Sequence, residues 1–238
     1  MKKPVPEVLF YDDDIIVVDK PSGIPVIPER FAKTVSLQEM LGNEFEEVFV
    51  VHRIDKGTSG LICFARNAAA HRHLSMQFQE HTVKKFYTAF VKGKLAEKSG
   101  TIDAPIAENE LHPGRMLVHQ RGKQAITLYE VMEEFKHASI LKVEIKTGRT
   151  HQIRVHMAYI GHPLLVDDVY AKVKGFFLSS VKKKYKLTDE EERPIIDRLT
   201  LHASSLSFLH PSSNEQVTFE TPLPKDLEAL AKLLRKYD

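Results

Sequence analysis

The segment Val51-His52-Arg53-Ile54-Asp55-Lys56-Gly57-Thr58-Ser59-Gly60 crowds polar and small residues against the apolar run Leu61 to Ala65. So much polarity beside a buried strand is costly unless it caps a turn or lines a site. Asp55 offers a carboxylate for proton transfer or nucleophilic work. In the ordinary reading it caps local backbone N–H groups, as do Thr58 and Ser59. A second stretch, Thr147-Gly148-Arg149-Thr150-His151-Gln152-Ile153-Arg154-Val155-His156, gathers two arginines, two histidines and an amide around a helix start. Arg154 lies next to His151 and Ala158 on that helix and off its apolar stripe, which turns it toward a groove or solvent. As a surface arginine alone it would contribute little.

Twelve histidines call for a metal check. His151 and His156 are separated by about 500° of helix, so they diverge by roughly 140° and do not chelate one ion. His71 and His73 are no better placed, and structural or surface roles are expected of the histidines. Gly57 and Gly60 lack the spacing and the following Lys of a phosphate-binding loop. No metal and no nucleotide cofactor is expected.

The elements that must position these residues follow from pattern. Val8 to Tyr11 and Ile15 to Val18 read as a hairpin around Asp12-Asp13-Asp14. Ser36, with Glu39 three residues on, opens a helix through about Glu47. Leu61 to Ala65 is a buried strand in which Cys63 is inert core. Asn67 opens a helix with Ala70, Leu74 and Phe78 on one face. Lys85 to Gly93 is a strand covered on both faces, with Tyr87, Ala89 and Val91 sharing one of them. Ala125 to Phe135 and Ser139 to Lys146 form a second hairpin. Thr150 to Ile160 is a helix stopped by Gly161 and Pro163. A last helix starts near Pro224, capped from Thr221, and buries Leu227, Leu230 and Leu234. Strands and helices interspersed without strict alternation give an α+β class with a mixed, mainly antiparallel β-sheet flanked by helices and loops.

At 238 residues the chain can bury one substantial core, and no repeat or Gly/Ser linker divides it, so residues 1–238 read as a single domain. The one break in composition is 172–198, where Lys182-Lys183-Lys184 and Lys186 precede Asp189-Glu190-Glu191-Glu192. It reads as a solvated helical hairpin or a mobile insertion, with an RNA-contacting lysine patch as the alternative. Thirty-four Lys+Arg against thirty-two Asp+Glu exclude a uniformly basic coat, so any polyanion must be held by a local patch. No run reaches the ~18 apolar residues of a membrane span. The N-terminus lacks the apolar core of a secretory signal. With one cysteine, a reducing cytoplasmic setting and no membrane partner are expected.

His52-Arg53-Ile54-Asp55-x-x-Thr58-Ser59-Gly60 resembles the H-R-L-D-x-x-T-S-G signature of the RluA-like family of RNA pseudouridine synthases, with Ile for Leu. Lys85-x-Tyr87-x-Ala89-x-Val91-x-Gly93 is similar to the second family motif, and Gly148-Arg149-x-His151-Gln152-Ile153-Arg154-x-His156 to the third. Gly161-His162-Pro163, Asp167, Tyr170 and Leu201-His202-Ala203-x-x-Leu206-x-Phe208-x-His210-Pro211 follow in family order. Val166 stands where the family usually has Gly, so a different loop path after Pro163 is expected. The first strand begins by Val8, without the small N-terminal RNA-binding domain of many members, so target selection is expected to rest on the catalytic domain.

The resemblance implies the pseudouridine synthase catalytic fold with a central RNA-binding cleft. It also implies isomerisation of a uridine in ribosomal or transfer RNA to pseudouridine without cofactor or metal. By the match Asp55 is the catalytic carboxylate, able to stabilise or trap an oxocarbenium-like sugar and to move a proton. Arg154 pairs with it and keeps it ionised. Tyr87 stacks on the uracil and serves in late proton transfer. Arg53 fills the gap left by an extruded uridine; its alternative is a carboxylate within the fold. Lys56, Arg149 and His151 complete the RNA-binding set, and Lys20-Pro21-Ser22-Gly23 sets backbone shape near the cleft. A monomer that binds an RNA stem-loop is expected. Two rivals remain, a non-catalytic RNA-binding protein of the same fold and a carboxylate-based nucleoside hydrolase; intact Asp55, Tyr87 and Arg154 weigh against the first.

Overall fold

The computed structural model describes residues 6–29, 34–182 and 192–238. In chain order its elements are β1 (Glu7–Tyr11), β2 (Ile15–Lys20), α1 (Leu37–Gly42), β3 (Phe49–Val50), β4 (Ser59–Ala65), α2 (Ala68–Gln79), β5 (Lys84–Lys92) and β6 (Ser99–Asp103). There follow β7 (Ile106–Glu108), β8 (Met116–Val118), β9 (Ile126–Glu134), β10 (Ala138–Ile145), α3 (Gln152–Tyr159), β11 (Leu201–Leu209), β12 (Gln216–Glu220) and α4 (Lys225–Tyr237). Strand pairing is mostly antiparallel, and the class is α+β. No helix among the described residues is long and apolar enough to cross a membrane.

The chain divides into two compact units, neither continuous in sequence: 1–86 with 202–222, and 87–201 with 223–238. In the first, the strand order is β1-β2-β4-β11, with β3 on β4 and β12 on β11. β4 is buried at every position, which its continuous apolar run requires. Its β2 neighbour supplies Ile15 and Val17, and α2 adds Ala70 and Leu74 to a core that includes Leu61, Cys63, Leu206 and Phe208. Burial pushes the Cys63 thiol up and keeps it inert. β4 and β11 run parallel, with Ser59 opposite His202 and Gly60 opposite Ala203. Gly60, at φ +108, lies so close to β11 that any Cβ would strike the Ala203 backbone.

In the second unit β5, β10, β9 and β6 lie side by side, and β7 pairs with β8 in a separate two-stranded hairpin. α4 buries Leu227, Leu230, Ala231 and Leu234 on one stripe against Phe90, Ala138 and Ile140.

Four local expectations need correction. α1 opens with the expected capping box of Ser36 and Glu39 but ends at Gly42, five residues early. α3 starts at Gln152, because His151 before it adopts φ 55, ψ 21 in the left-handed region. Thr221 does not cap α4, whose N-cap is Pro224; its hydroxyl donates instead to Asp19 at 2.7 Å. The described parts of 172–198 are not merely solvated: Val181 and Ile196 belong to the α4 core, with Val173, Phe176 and Leu178 packed against it. The lysine patch from Lys183 through Lys186 and the acidic run Asp189 to Glu191 lie outside the described residues. Lys182 is exposed, its ammonium 5.8 Å from the Tyr237 ring centroid.

Candidate active site

In the first unit the signature loop divides cleanly between frame and presented groups. Ile54, Thr58, Ser59 and Gly60 are buried, whereas Arg53 and Lys56 are exposed and Asp55 is half-buried. Thr58 N–H closes the turn on the Asp55 carbonyl at 3.0 Å. His52 belongs to the frame. Its ring stacks on Phe78 at 4.4 Å, and its Nε2 accepts the Cys63 N–H at 3.0 Å. Burial, aided by the Lys85 ammonium, pushes its pKa down to about 3, so the ring stays neutral and keeps that acceptor at neutral pH.

The other wall of the loop is Lys20, fully buried. Its ammonium donates to the carbonyls of Pro21 at 3.0 Å, Ile24 at 2.9 Å and Lys56 at 3.1 Å. Gly23 N–H adds a bond to the same Lys56 carbonyl at 2.8 Å, and the Ser22 hydroxyl donates to Gly57 at 2.7 Å. The backbone just after Asp55 is therefore latched from behind, which gives the Lys20-Pro21-Ser22-Gly23 segment its role in backbone shape. On the far side, Ser59 Oγ and His202 Nδ1 are hydrogen-bonded at 3.0 Å.

Of the cations expected on this loop, Arg53 has no carboxylate partner among the described residues. Lys56 pairs with Glu29 at 2.7 Å, with both side chains substantially exposed. Such a pair is worth at most about 1 kcal/mol, so a phosphate can compete for the lysine.

In the second unit the third motif is assembled around Arg154. Contrary to its expected place on the helix surface, Arg154 is buried, 6% exposed, because Asp167 meets it inside the fold. Nε and Nη2 donate to the two Asp167 oxygens at 2.8 and 2.9 Å, a parallel fork that leaves Nη1 outside the pair. Burial alone would raise the Asp167 carboxyl, but the Arg154 hydrogen bonds and charge, joined by N–H groups of Tyr170 and Val169, hold it below the ordinary carboxylate value. Val166, in place of the family's usual Gly, packs into the α4 core next to Asp167. The Arg154 guanidinium lies 5.1 Å from the Tyr170 ring centroid. His151 Nδ1 shares a 2.8 Å hydrogen bond with the Tyr170 hydroxyl.

Arg149 donates through Nε to the Gln124 carbonyl at 3.0 Å. Gln152 is structural: its amide bonds Thr147, Thr127, Arg149 N–H and the Ile126 carbonyl, tying α3 to the strand ends beside it. His156 is fully buried between Thr127 and the Ala104 carbonyl, and burial holds its pKa down. Tyr87, on β5, is 7% exposed. Among the described residues no group of three or more His, Cys, Asp or Glu is arranged to hold a metal ion.

Asp167 and Tyr170 are the residues whose roles sequence reasoning missed. Their positions after Gly161-His162-Pro163 were visible, but nothing in spacing says that a carboxylate thirteen residues beyond Arg154 meets its guanidinium.

The sequence profile described as RNA pseudouridylate synthase matches residues 14–159. Among curated proteins the chain is 40% identical over 235 residues to a ribosomal large subunit pseudouridine synthase D of Nitrosomonas europaea, covering 96% of this chain and 65% of that protein. It is 37% identical to the like-named protein of Blochmanniella floridana and 36% identical to that of Pseudomonas aeruginosa, in each case over 97% of this chain and 73% and 72% of theirs. The chain thus spans about two thirds to three quarters of the length of these relatives. Among solved structures, human RNA pseudouridylate synthase domain containing 1 superposes with a TM-score of 0.71 at 27% identity, covering 99% of this chain and 98% of that one. Human RNA pseudouridylate synthase domain containing 4 shares the fold at the same TM-score and 23% identity, over 96% of this chain and 93% of that one.

Proposed function

The chain belongs to the RNA pseudouridylate synthase family, and we propose that it isomerises a specific uridine of structured ribosomal RNA to pseudouridine, with Asp55 as the catalytic carboxylate. The observation that carries this reading is the signature loop, where a buried frame of Ile54, Thr58, Ser59 and the Lys20 latch holds out Arg53, Asp55 and Lys56. Ribosomal RNA is favoured over transfer RNA by the names of the curated relatives. The protein is read as one catalytic domain, a cytoplasmic monomer working without metal or cofactor.

In this reading Asp55 engages the target nucleotide as its glycosidic bond breaks, stabilising or trapping the electron-poor sugar. Arg154, already fixed by Asp167, is the cation that serves Asp55 in the reaction. Tyr87 stacks on the uracil and takes part in the closing proton transfer. Arg53, with Lys56, Arg149 and His151, holds the RNA. The test is conversion of large-subunit ribosomal RNA transcripts, with transfer RNA and free uridine as parallel substrates. Pseudouridine in the ribosomal transcript, with no uracil released, is expected. Uracil release from free uridine would favour a hydrolase, and RNA binding without product would favour a non-catalytic module.

Arg53 allows a sharper check. A uridine in a stem must leave the stack before its sugar can be reached, and a planar guanidinium can occupy the vacated space. Arg53→Ala should lower single-turnover rates about tenfold more on a stem-loop than on an unpaired oligonucleotide with the same uridine, the unstacking cost being a few kcal/mol. Equal losses on both would leave Arg53 a general phosphate contact.

A further inference from the structure

Tyr170 does more than pad the arginine. Its ring lies against the Arg154 guanidinium at 5.1 Å, and its backbone N–H donates to the same Asp167 oxygen that accepts from Nη2. Its hydroxyl accepts the Met116 N–H at 2.9 Å and bonds His151 Nδ1 at 2.8 Å, with the two rings edge to face. One side chain thus touches α3 at Arg154, the residue before the helix at His151, and the hairpin strand β8 at Met116.

The hairpin needs such an anchor. β7 and β8 pair only over Ile106 to Glu108 and Met116 to Val118, and a two-stranded ribbon is marginal by itself. Its apolar support is a small cluster of Ile106, Ala125 and Val155 with Met116, Val118 and Tyr170 at the edge. The hairpin and the turn after it expose Arg115, Arg121 and Lys123, and none of the three has a carboxylate partner among the described residues. In a chain with a net charge of only +2, these three cations, on the hairpin loop and the turn after it beside the exposed Glu108 and Glu110, offer a phosphate backbone a local contact.

We propose that Tyr170 is a positioning residue that couples RNA held by the β7–β8 hairpin to the orientation of Arg154. The inference rests on the functional reading above. The hydroxyl fixes the hairpin against α3, while the ring fixes the guanidinium, so the two halves of the side chain separate experimentally. Tyr170→Phe keeps the ring and its packing but deletes the hydroxyl's bonds to the Met116 N–H and His151, leaving the hairpin its apolar cluster and the Ile106–Lys123 backbone pair. Its affinity for the ribosomal transcript should weaken about fivefold, the value of one hydrogen bond, and the salt dependence of binding should flatten. Its single-turnover rate at saturating RNA is the reference against which loss of the ring is read. Tyr170→Leu removes the guanidinium's aromatic platform as well, and its saturated rate should fall a further tenfold or so. Arg115→Gln/Arg121→Gln should reproduce the affinity loss of Tyr170→Phe and be non-additive with it.

Affinity and salt slope of Tyr170→Phe equal to the parent's would overturn the hairpin coupling. A saturated rate in Tyr170→Leu equal to that of Tyr170→Phe would overturn the coupling to Arg154. The binding measurements do not depend on turnover. A parent protein that binds the transcript but forms no pseudouridine would therefore sink the proposed function, while a fivefold loss in Tyr170→Phe would still support the anchored hairpin.

Discussion

Asp55→Asn is expected to remove pseudouridine formation, with a single-turnover rate lower by on the order of 10³-fold or more, about 4 kcal/mol of transition-state stabilisation. The substitution keeps the shape of the side chain and deletes the charge, so what is lost is the capacity to attack, to take a proton or to face a developing cation. The loop itself should persist. Its path is set by the Thr58 N–H on the Asp55 carbonyl and by the Lys20, Ser22 and Gly23 contacts to the Lys56 and Gly57 carbonyls, none of which uses the carboxylate. RNA affinity should change by no more than about threefold, because binding draws on phosphate contacts spread over several cations. The measurements are a pseudouridine-release assay at saturating enzyme and a filter-binding titration on the same transcript. A variant that still converts the substrate at a rate within tenfold of the parent would remove Asp55 from the chemistry. Loss of binding in step with rate would make it a docking residue.

How far the sequence discloses this site depends on the type of interaction that builds each part. Elements made by apolar patterning were legible: the β1–β2 hairpin, the fully buried β4, the Asn67-capped α2 and the Leu227, Leu230, Leu234 stripe of α4 all follow from period and caps. β11 was not read as a strand, although its residues were noted as a motif. Its Leu-His-Ala-Ser-Ser-Leu-Ser-Phe-Leu sequence places His and Ser among its inward positions. Those polar groups find partners only in the folded chain, Ser59 for His202, the Phe86 carbonyl for Ser204 and Thr218 for Ser207. Thr221 illustrates the same limit from the other direction, as a capping hydroxyl by its local spacing that is claimed by Asp19, 202 residues away in the chain.

The active-site residues divide along the same line. Asp55, Arg53 and Lys56 could be named because they sit in one contiguous motif. The environment of Arg154 could not, since helical periodicity reports which face is apolar and says nothing about a buried counter-charge. An arginine off the apolar stripe was expected to meet a groove or solvent; the Asp167 carboxylate let it enter the interior. Buried ions are tolerated when paired and fully hydrogen-bonded, and Asp167 adds two backbone N–H groups to the guanidinium fork.

That burial shapes what mutation of the pair should do. Arg154→Met deletes the cation proposed to serve Asp55, but it also strands the Asp167 carboxylate inside the fold, at a cost of about 3–5 kcal/mol of stability. A loss of activity in this variant therefore mixes chemistry with unfolding. The double variant Arg154→Met/Asp167→Asn separates them. Its asparagine oxygen can still accept from Val169 and Tyr170 while carrying no charge, so most of the stability should return. Activity should not, because the cation is still missing. Arg154→Lys keeps the charge but cannot form the two-point fork, and should retain a fraction of the rate between parent and Met variant. Acid titration gives an independent check. The Asp167 carboxyl is held below its ordinary 3.8, so the pair stabilises the fold fully above about pH 4 and loses that contribution as pH falls through the lower folded-state value. The stability gap between the parent and Asp167→Asn, measured by denaturant titration, should therefore shrink as pH is lowered from about 5 toward 2. A gap independent of pH would mean that the charge of Asp167 contributes nothing to holding Arg154. Recovery of activity together with stability in the double variant would show that Arg154 serves the fold and not the reaction.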